Sequence, residues 1–256
     1  MTIERRNYGR GHGYKVDGRK MPGVTTILGK TMPKEALINW AATTTANAAI
    51  DRWDELAELP PSKRLKELLD ARFADRDQAA NRGTEVHTLA EQYLRGEEIE
   101  VPDAIDGHVR QYEAFVADQR VTPVHIEVVI ANRRVGYCGT VDLIADVDGR
   151  RKLIDLKTSR SGIFAETALQ TVAYANAEVY LGDDGAEHPM SELGIVDVAA
   201  LHVTADGWSL VPILNRGEIW DYFRHLAWLY YRQDDQPTWL GNPVRGTAGA
   251  RQQVSA

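Results

Sequence analysis

Two aspartates and a lysine lie close together in one short stretch of this chain, GTVDLIADVDGRRKLIDLK over residues 139–157. Asp148-Gly149 is a favoured pair for a two-residue type I′ turn, and it joins two apolar runs. If those two residues form the loop, Val147 faces Arg150 and Asp142 falls opposite Asp155, with Cβ atoms ~5 Å apart. Lys157, two residues beyond Asp155, shares its face, while Ile154 and Leu156 point the other way. Two opposed carboxylates repel and destabilise a strand pair unless something neutralises them. A hard divalent cation held by carboxylate oxygens and water does so, which suits Mg²⁺. The alternatives are a surface cluster of ion pairs with Lys157 or an arginine, or a different loop length that offsets the strands. An apolar hairpin favours the functional reading, because burying charge without a purpose is costly.

Other residues have side chains suited to the same chemistry. His87 ends the run Arg82-Gly83-Thr84-Glu85-Val86-His87, on a helix expected to begin near Arg82, where Gly83 permits close approach. A neutral imidazole there can complete the coordination of a metal; the alternative is an exposed helix histidine. Glu127 lies on the strand before the hairpin and either reaches the metal, directly or through water, or is an ordinary edge-strand acid. Gln170 and Tyr174 are four residues apart and share a helix face, although Tyr174 alone also fits a core aromatic. Trp40 reads as core rather than as a stacking platform for bases.

In this order the elements resemble the RecB-like exonuclease branch of the PD-(D/E)XK nuclease superfamily. Gly139-x-x-Asp142 followed by Asp155-Leu156-Lys157 resembles its acidic hairpin, the Arg82–His87 run its histidine helix, and Gln170-x-x-x-Tyr174 its Gln-x-x-x-Tyr helix. The opening Pro22-Gly23-Val24-Thr25-Thr26-Ile27-Leu28, with Trp40 later, is similar to the N-terminal regions of phage exonucleases and the mitochondrial genome-maintenance exonuclease. The branch also includes CRISPR-associated RecB-like nucleases. Val141 stands where the superfamily name places a proline, as is common in the branch.

The resemblance implies a restriction-endonuclease-like fold and a Mg²⁺- or Mn²⁺-dependent deoxyribonuclease. Asp142, Asp155, Lys157, Gln170 and Tyr174 would be catalytic. His87, Asp142, Asp155, the Leu156 carbonyl and Glu127 would serve the metal, and Arg82, Thr84, Gln170 and Tyr174 the DNA. The expected substrate is DNA, single-stranded or with a free end, cut as an exonuclease in phage or bacterial recombination, repair or replication. An endonuclease of the same superfamily and a non-cleaving DNA-binding protein of nuclease fold remain as alternatives. The cysteines of iron–sulfur relatives are missing, so no cluster is expected. No helicase motif accompanies the nuclease, so the chain is expected to act alone or with a separate recombination or replication partner.

The elements that must position these residues follow from pattern and punctuation. Residues 14–28 read as a short hairpin around Asp17-Gly18, then a turn at Pro22-Gly23. Gly9, Gly11 and Gly13 superficially resemble a dinucleotide-binding loop, but with no strand expected before them and no helix after, the match has no weight. Helices are expected over about 33–58, 62–80, 82–95 and 103–120, stopped or started by Pro60-Pro61 and Pro102. Strands follow at 124–131, 135–147 and 151–157, then a helix at about 164–181 burying Leu169, Val172, Ala173 and Val179. A loop at 182–192, strands near 194–204 and 207–213 and a helix at about 216–232 complete the order. The reading is one α/β nuclease domain over 1–240: a mainly helical N-terminal section to 120, then a central mixed β-sheet flanked by helices over 121–240. Residues 241–256 read as a flexible tail.

The bulk numbers fit. At 256 residues with 43% hydrophobic and 26% charged residues, the chain can bury a full core. One cysteine, Cys138, excludes an internal disulfide and a four-cysteine metal site. There is no apolar run long enough for a membrane span and no signal-peptide core, so the expected location is the cytoplasm. The net charge of −7 is unevenly spread: residues 1–34 carry eight Lys/Arg against Glu4 and Asp17. That basic segment on an acidic body either supplies phosphate contacts or is a solvated tail.

Overall fold

The computed structural model describes residues 2–8, 11–160, 162–233, 239 and 241–242, so the expected tail lies almost wholly outside the described residues. A seven-stranded mixed sheet forms the centre. Its strands are β4 (Thr122–Asn132), β5 (Tyr137–Val147), β6 (Arg150–Lys157), β7 (Val179–Leu181), β8 (Glu187–Pro189), β9 (Asp197–Val203) and β10 (Trp208–Pro212). They lie in the order β10-β9-β6-β5-β4-β7-β8, and only β6 and β9 pair in parallel. Ahead of it stands a small antiparallel sheet of β1 (Ile3–Tyr8), β2 (Gly11–Val16) and β3 (Arg19–Met21).

Helices cover the faces of the large sheet. On one side α1 (Val24–Thr31), α6 (Ala165–Ala175) and α7 (Arg216–Arg232) enclose a core that includes Ile27, Leu28, Tyr137, Ile144, Leu153 and Phe223. On the other, α5 (Asp106–Asp118) and the end of α4 (Pro61–Leu94) meet Leu143, Ala145, Ile154, Leu156 and Leu201. Ile144 and Leu153 pack in one core while Leu143 and Ile154 pack in the other, as a period of two requires of a strand buried on both faces. Two further helices, α2 (Glu35–Asp51) and α3 (Trp53–Ala57), lie before α4.

The hairpin at the centre follows the expected register. Val147 pairs with Arg150, and pairing continues to Leu143 with Ile154. Asp148 and Gly149 both have positive φ, 49° and 77°, as a type I′ turn demands.

Several elements differ from the sequence reading. The helices expected at 62–80 and 82–95 are one 34-residue helix, so His87 lies deep in α4 rather than near a helix start. Gly83 costs a helix only about 1 kcal/mol, and Asn81, a residue type that could have capped a second helix there, is instead taken up inside α4. A strand does precede Gly11 and Gly13: Ile3–Tyr8 pairs with Gly11–Val16 along its whole length. Residues 24–31 form a helix because Val24, Ile27 and Leu28 share one buried face. The helix at 164 ends at Ala175, where the Asn176 side chain donates to the Val172 carbonyl at 2.9 Å. Val179 therefore joins a strand, held by Ile130–Tyr180 and Ala131–Val179 pairing. The loop expected at 182–192 holds β8 and a 3₁₀ turn, Met190–Leu193. Trp40 is 36% exposed on α2 rather than in the core. Among the described residues, no helix is long and apolar enough to cross a membrane.

Candidate active site

Asp142 occupies a gap in the sheet. On the β4 side the paired residues pass from Ile126–Leu143 to Val128–Val141, skipping Asp142 and Glu127. On the β6 side pairing stops at Leu143–Ile154, one step short of Asp142 and Asp155. From there β5 stays with β4, while β6 stays with β9 as far as Lys157–His202. The two aspartates thus do not form the directly opposed ladder pair that the turn alone predicts; the strands part between them. Glu127 marks the same break from the other side, with φ at 53°. Such a left-handed residue costs about 1–2 kcal/mol outside glycine, and strain of this kind gathers at functional sites.

The parting brings the polar groups together. The Asp142 Oδ2 accepts the Leu156 N–H at 2.7 Å, a backbone donor freed where the ladder stops. His87 reaches across from α4 and sets Nδ1 3.7 Å from the Asp142 Oδ1. His87, Glu127 and Asp142 each offer a ligand atom within 4.8 Å of the other two. Asp155 is 1% exposed. The Gln170 side-chain amide donates to its Oδ1 at 2.9 Å and to the Tyr174 hydroxyl at 3.0 Å. The Lys157 ammonium stands 2.6 Å from the Asp155 Oδ2, though at an angle that leaves that buried oxygen without a hydrogen bond. Lys157 also donates to the Gln170 Oε1 at 3.3 Å.

The electrostatics follow from this crowding. Burial pushes the Asp155 carboxyl up to about 6, against the pull of Lys157 and with a further push from Asp142. Burial raises Glu127 as well, and the neighbouring Asp142 charge adds to it. For Asp142, burial is outweighed by His87, Lys157 and the Leu156 N–H, and its carboxyl falls below the usual range. His87 rises in turn, because the Asp142 carboxylate outweighs the burial that would lower it. A buried carboxylate oxygen that meets the Lys157 ammonium without a well-aligned hydrogen bond, beside three convergent oxygen and nitrogen donors, fits a hard divalent cation.

These groups face a cleft of about 670 Å³. Of the residues singled out from sequence, Thr84, His87, Glu127, Asp142, Asp155, Lys157, Gln170 and Tyr174 line it. Arg82 does not; its charge acts instead on His108. Leu156 turns its side chain into the opposite core and gives its N–H to Asp142. Sequence reasoning missed Tyr14, whose hydroxyl hydrogen-bonds the Thr140 hydroxyl at 2.9 Å, and His12, Thr25 and Thr88 beside it. Arg5, counted only as one charge of the basic segment, also lines the cleft and pairs with Glu127 at 3.3 Å. Arg5, His12 and Tyr14 come from the small sheet, and the period-two spacing of His12, Tyr14 and Val16 was the local signal for it.

No curated protein matches the chain. Among solved structures, the crystal structure of SSO0001 is similar over 74% of this chain and 70% of that one, at 17% identity and a TM-score of 0.32. The family model of the PD-(D/E)XK nuclease superfamily matches residues 45–198. That stretch contains His87, the whole acidic hairpin, Gln170 and Tyr174, and it is more than half of the chain. The chain belongs to the PD-(D/E)XK nuclease superfamily.

Proposed function

We propose that this nuclease is a Mg²⁺- or Mn²⁺-dependent DNA exonuclease, hydrolysing phosphodiester bonds inward from an end and preferring single strands. The observation that carries the reading is the buried Asp155, held between Lys157 and Gln170, beside the His87–Glu127–Asp142 donor set. His87, Glu127 and Asp142 would hold the ion, with Asp155 and the Leu156 carbonyl as further ligands by family resemblance. A bound divalent ion polarises a scissile phosphate and lowers the pKa of an attacking water. Lys157 places a fixed positive charge where negative charge develops on the phosphate. Gln170 uses both amide donors to hold Asp155 and Tyr174 in register, so the carboxylate is oriented before substrate arrives. The small N-terminal sheet contributes Arg5, His12 and Tyr14 to one side of the cleft. A cleft walled on that side favours a strand end over a passing duplex.

The test is cleavage of end-labelled linear single-stranded DNA in Mg²⁺, with a closed circle of the same sequence beside it. Wild type degrades the linear strand alone, and Lys157→Ala reduces the rate by about 10²–10³-fold, the cost of losing one preorganised charge-stabilising group. Cutting of the circle would replace the exonuclease by an endonuclease. DNA bound but uncut in both Mg²⁺ and Mn²⁺ would leave a binding protein.

A further inference from the structure

A second groove borders the catalytic cleft. It has a volume of about 540 Å³ and runs between the small sheet and the end of α7. Tyr8, Tyr230, Tyr231 and Lys20 line it, and no acidic residue does so among the described residues. Tyr14 is common to groove and cleft, and at the turn after β3 the groove is lined by Pro22 and the cleft by Gly23. The two spaces therefore adjoin on either side of Tyr14.

The lining has the chemistry that single-stranded nucleic acid needs. Tyr8 is 59% exposed and Tyr231 48%, so both present ring faces to solvent. Both are held in place rather than left loose. The Tyr8 ring lies against Gly13, where a Cβ would come within 3.2 Å of it, and the Tyr231 hydroxyl donates to the Gly136 carbonyl at 2.6 Å. Fixed, exposed rings offer π-faces to bases at low entropic cost, whatever the base. Lys20 is exposed, and no acidic side chain pairs with it among the described residues. Lys30 stands 5.5 Å over the Tyr230 ring at the same end of α7.

We propose that this groove is a second nucleic-acid subsite. It takes the single strand that continues from the cleft, stacking bases on Tyr8 and Tyr231 and holding the backbone with Lys20. The proposal rests on the nuclease reading of the cleft but concerns a different surface. It follows from the groove's place beside the cleft and from a wall that is aromatic, lysine-bearing and, among the described residues, free of acids.

The experiment measures binding of fluorescent single strands by the full chain in chelator, where cutting does not interfere. One strand of about 4 nucleotides occupies the cleft only, and one of about 12 extends beyond it. Wild type is compared with Tyr8→Ala/Lys20→Ala and with Tyr8→Trp. The double variant should lose about tenfold in affinity for the long strand and leave the short strand unaffected, while Tyr8→Trp retains long-strand binding. Equal binding of the long strand by wild type and double variant would overturn the proposal, as would equal loss on both strands. Loss of self-association in the double variant, with DNA affinity unchanged, would assign the groove to a second copy of the chain instead. Wild-type cleavage in Mg²⁺ is followed in parallel. Its absence would sink the exonuclease reading while the binding comparison still decides the groove.

Discussion

At the residue scale, Asp155 is folded into surroundings that favour its neutral form. Its carboxyl titrates at about 6 in the fold, above the ordinary carboxylate value of 3.8. A group that binds its proton more tightly when folded stabilises the fold fully below its unfolded pKa, and that stability is lost as pH rises through the folded value. The melting temperature of the metal-free protein should therefore carry a component that falls between about pH 4 and 6 and disappears in Asp155→Asn. Asp142 has the opposite sign: its carboxyl is depressed, so its contribution is present above the ordinary carboxylate range and lost in stronger acid. The two effects occupy different windows and are separable by acid titration of the two asparagine variants. Glu127 faces Asp142 from a strained backbone position. Glu127→Gln should leave the metal-free melting temperature unchanged or raised, because it removes a like charge. It should also reduce the upward shift that Mn²⁺ produces, since a donor is gone.

At the element scale the site depends on the close approach of β5 and α6. A Cβ at Gly139 would lie 2.3 Å from the Tyr174 Cε1, so only glycine lets the helix approach near enough for Gln170 to reach Asp155. Overpacking of this kind costs about 1–3 kcal/mol. Gly139→Ala should accordingly lower stability by that amount in urea denaturation, and reduce cleavage more than the stability loss explains, because Tyr174 and Gln170 move together. The hairpin itself was legible in the chain. Asp148-Gly149 sets the register locally, and the alternation of Leu143, Ala145 and Val147 assigns the faces without reference to the rest of the fold. The break at Asp142 was not legible, because it arises from competition: β4 and β9 draw β5 and β6 apart, and neither partner lies in the hairpin. The same holds for α4. Asn81 and Gly83 read locally as a break, yet the helix runs through them, with the Thr158 hydroxyl 3.4 Å from where a Cβ at Gly83 would stand.

At the scale of the whole molecule the charge distribution acquires a meaning. The basic N-terminal segment begins with a sheet that places Arg5 on the lining of the cleft, beside Glu127. A phosphate that binds there can exchange with Glu127 for that guanidinium. Affinity for single-stranded DNA should thus fall steeply with salt. Arg5→Ala should flatten the plot of log affinity against log salt by about 0.7, the slope that one neutralised phosphate carries on a single strand. Titrations between low and physiological salt measure that slope directly, and an unchanged slope would remove Arg5 from the groups that bind DNA.

The chain by itself determined what depends on neighbours in sequence. The type I′ turn sets the hairpin, the spacing of four aligns Gln170 with Tyr174, and the apolar period of the strands places most of the core. It also supplied the residue types of the site, since a histidine, carboxylates and a lysine in that order have few other uses in an apolar setting. Tertiary structure alone decided which of those groups meet. His87 and Glu127 join Asp142, while Lys157 and Gln170 take Asp155, because five separate elements converge where the central strands part. Sequence distance carries no information about such a gap. It exists only once β4, β6 and β9 compete for the backbone hydrogen bonds around Asp142, and the carboxylate takes the one donor that the competition leaves free.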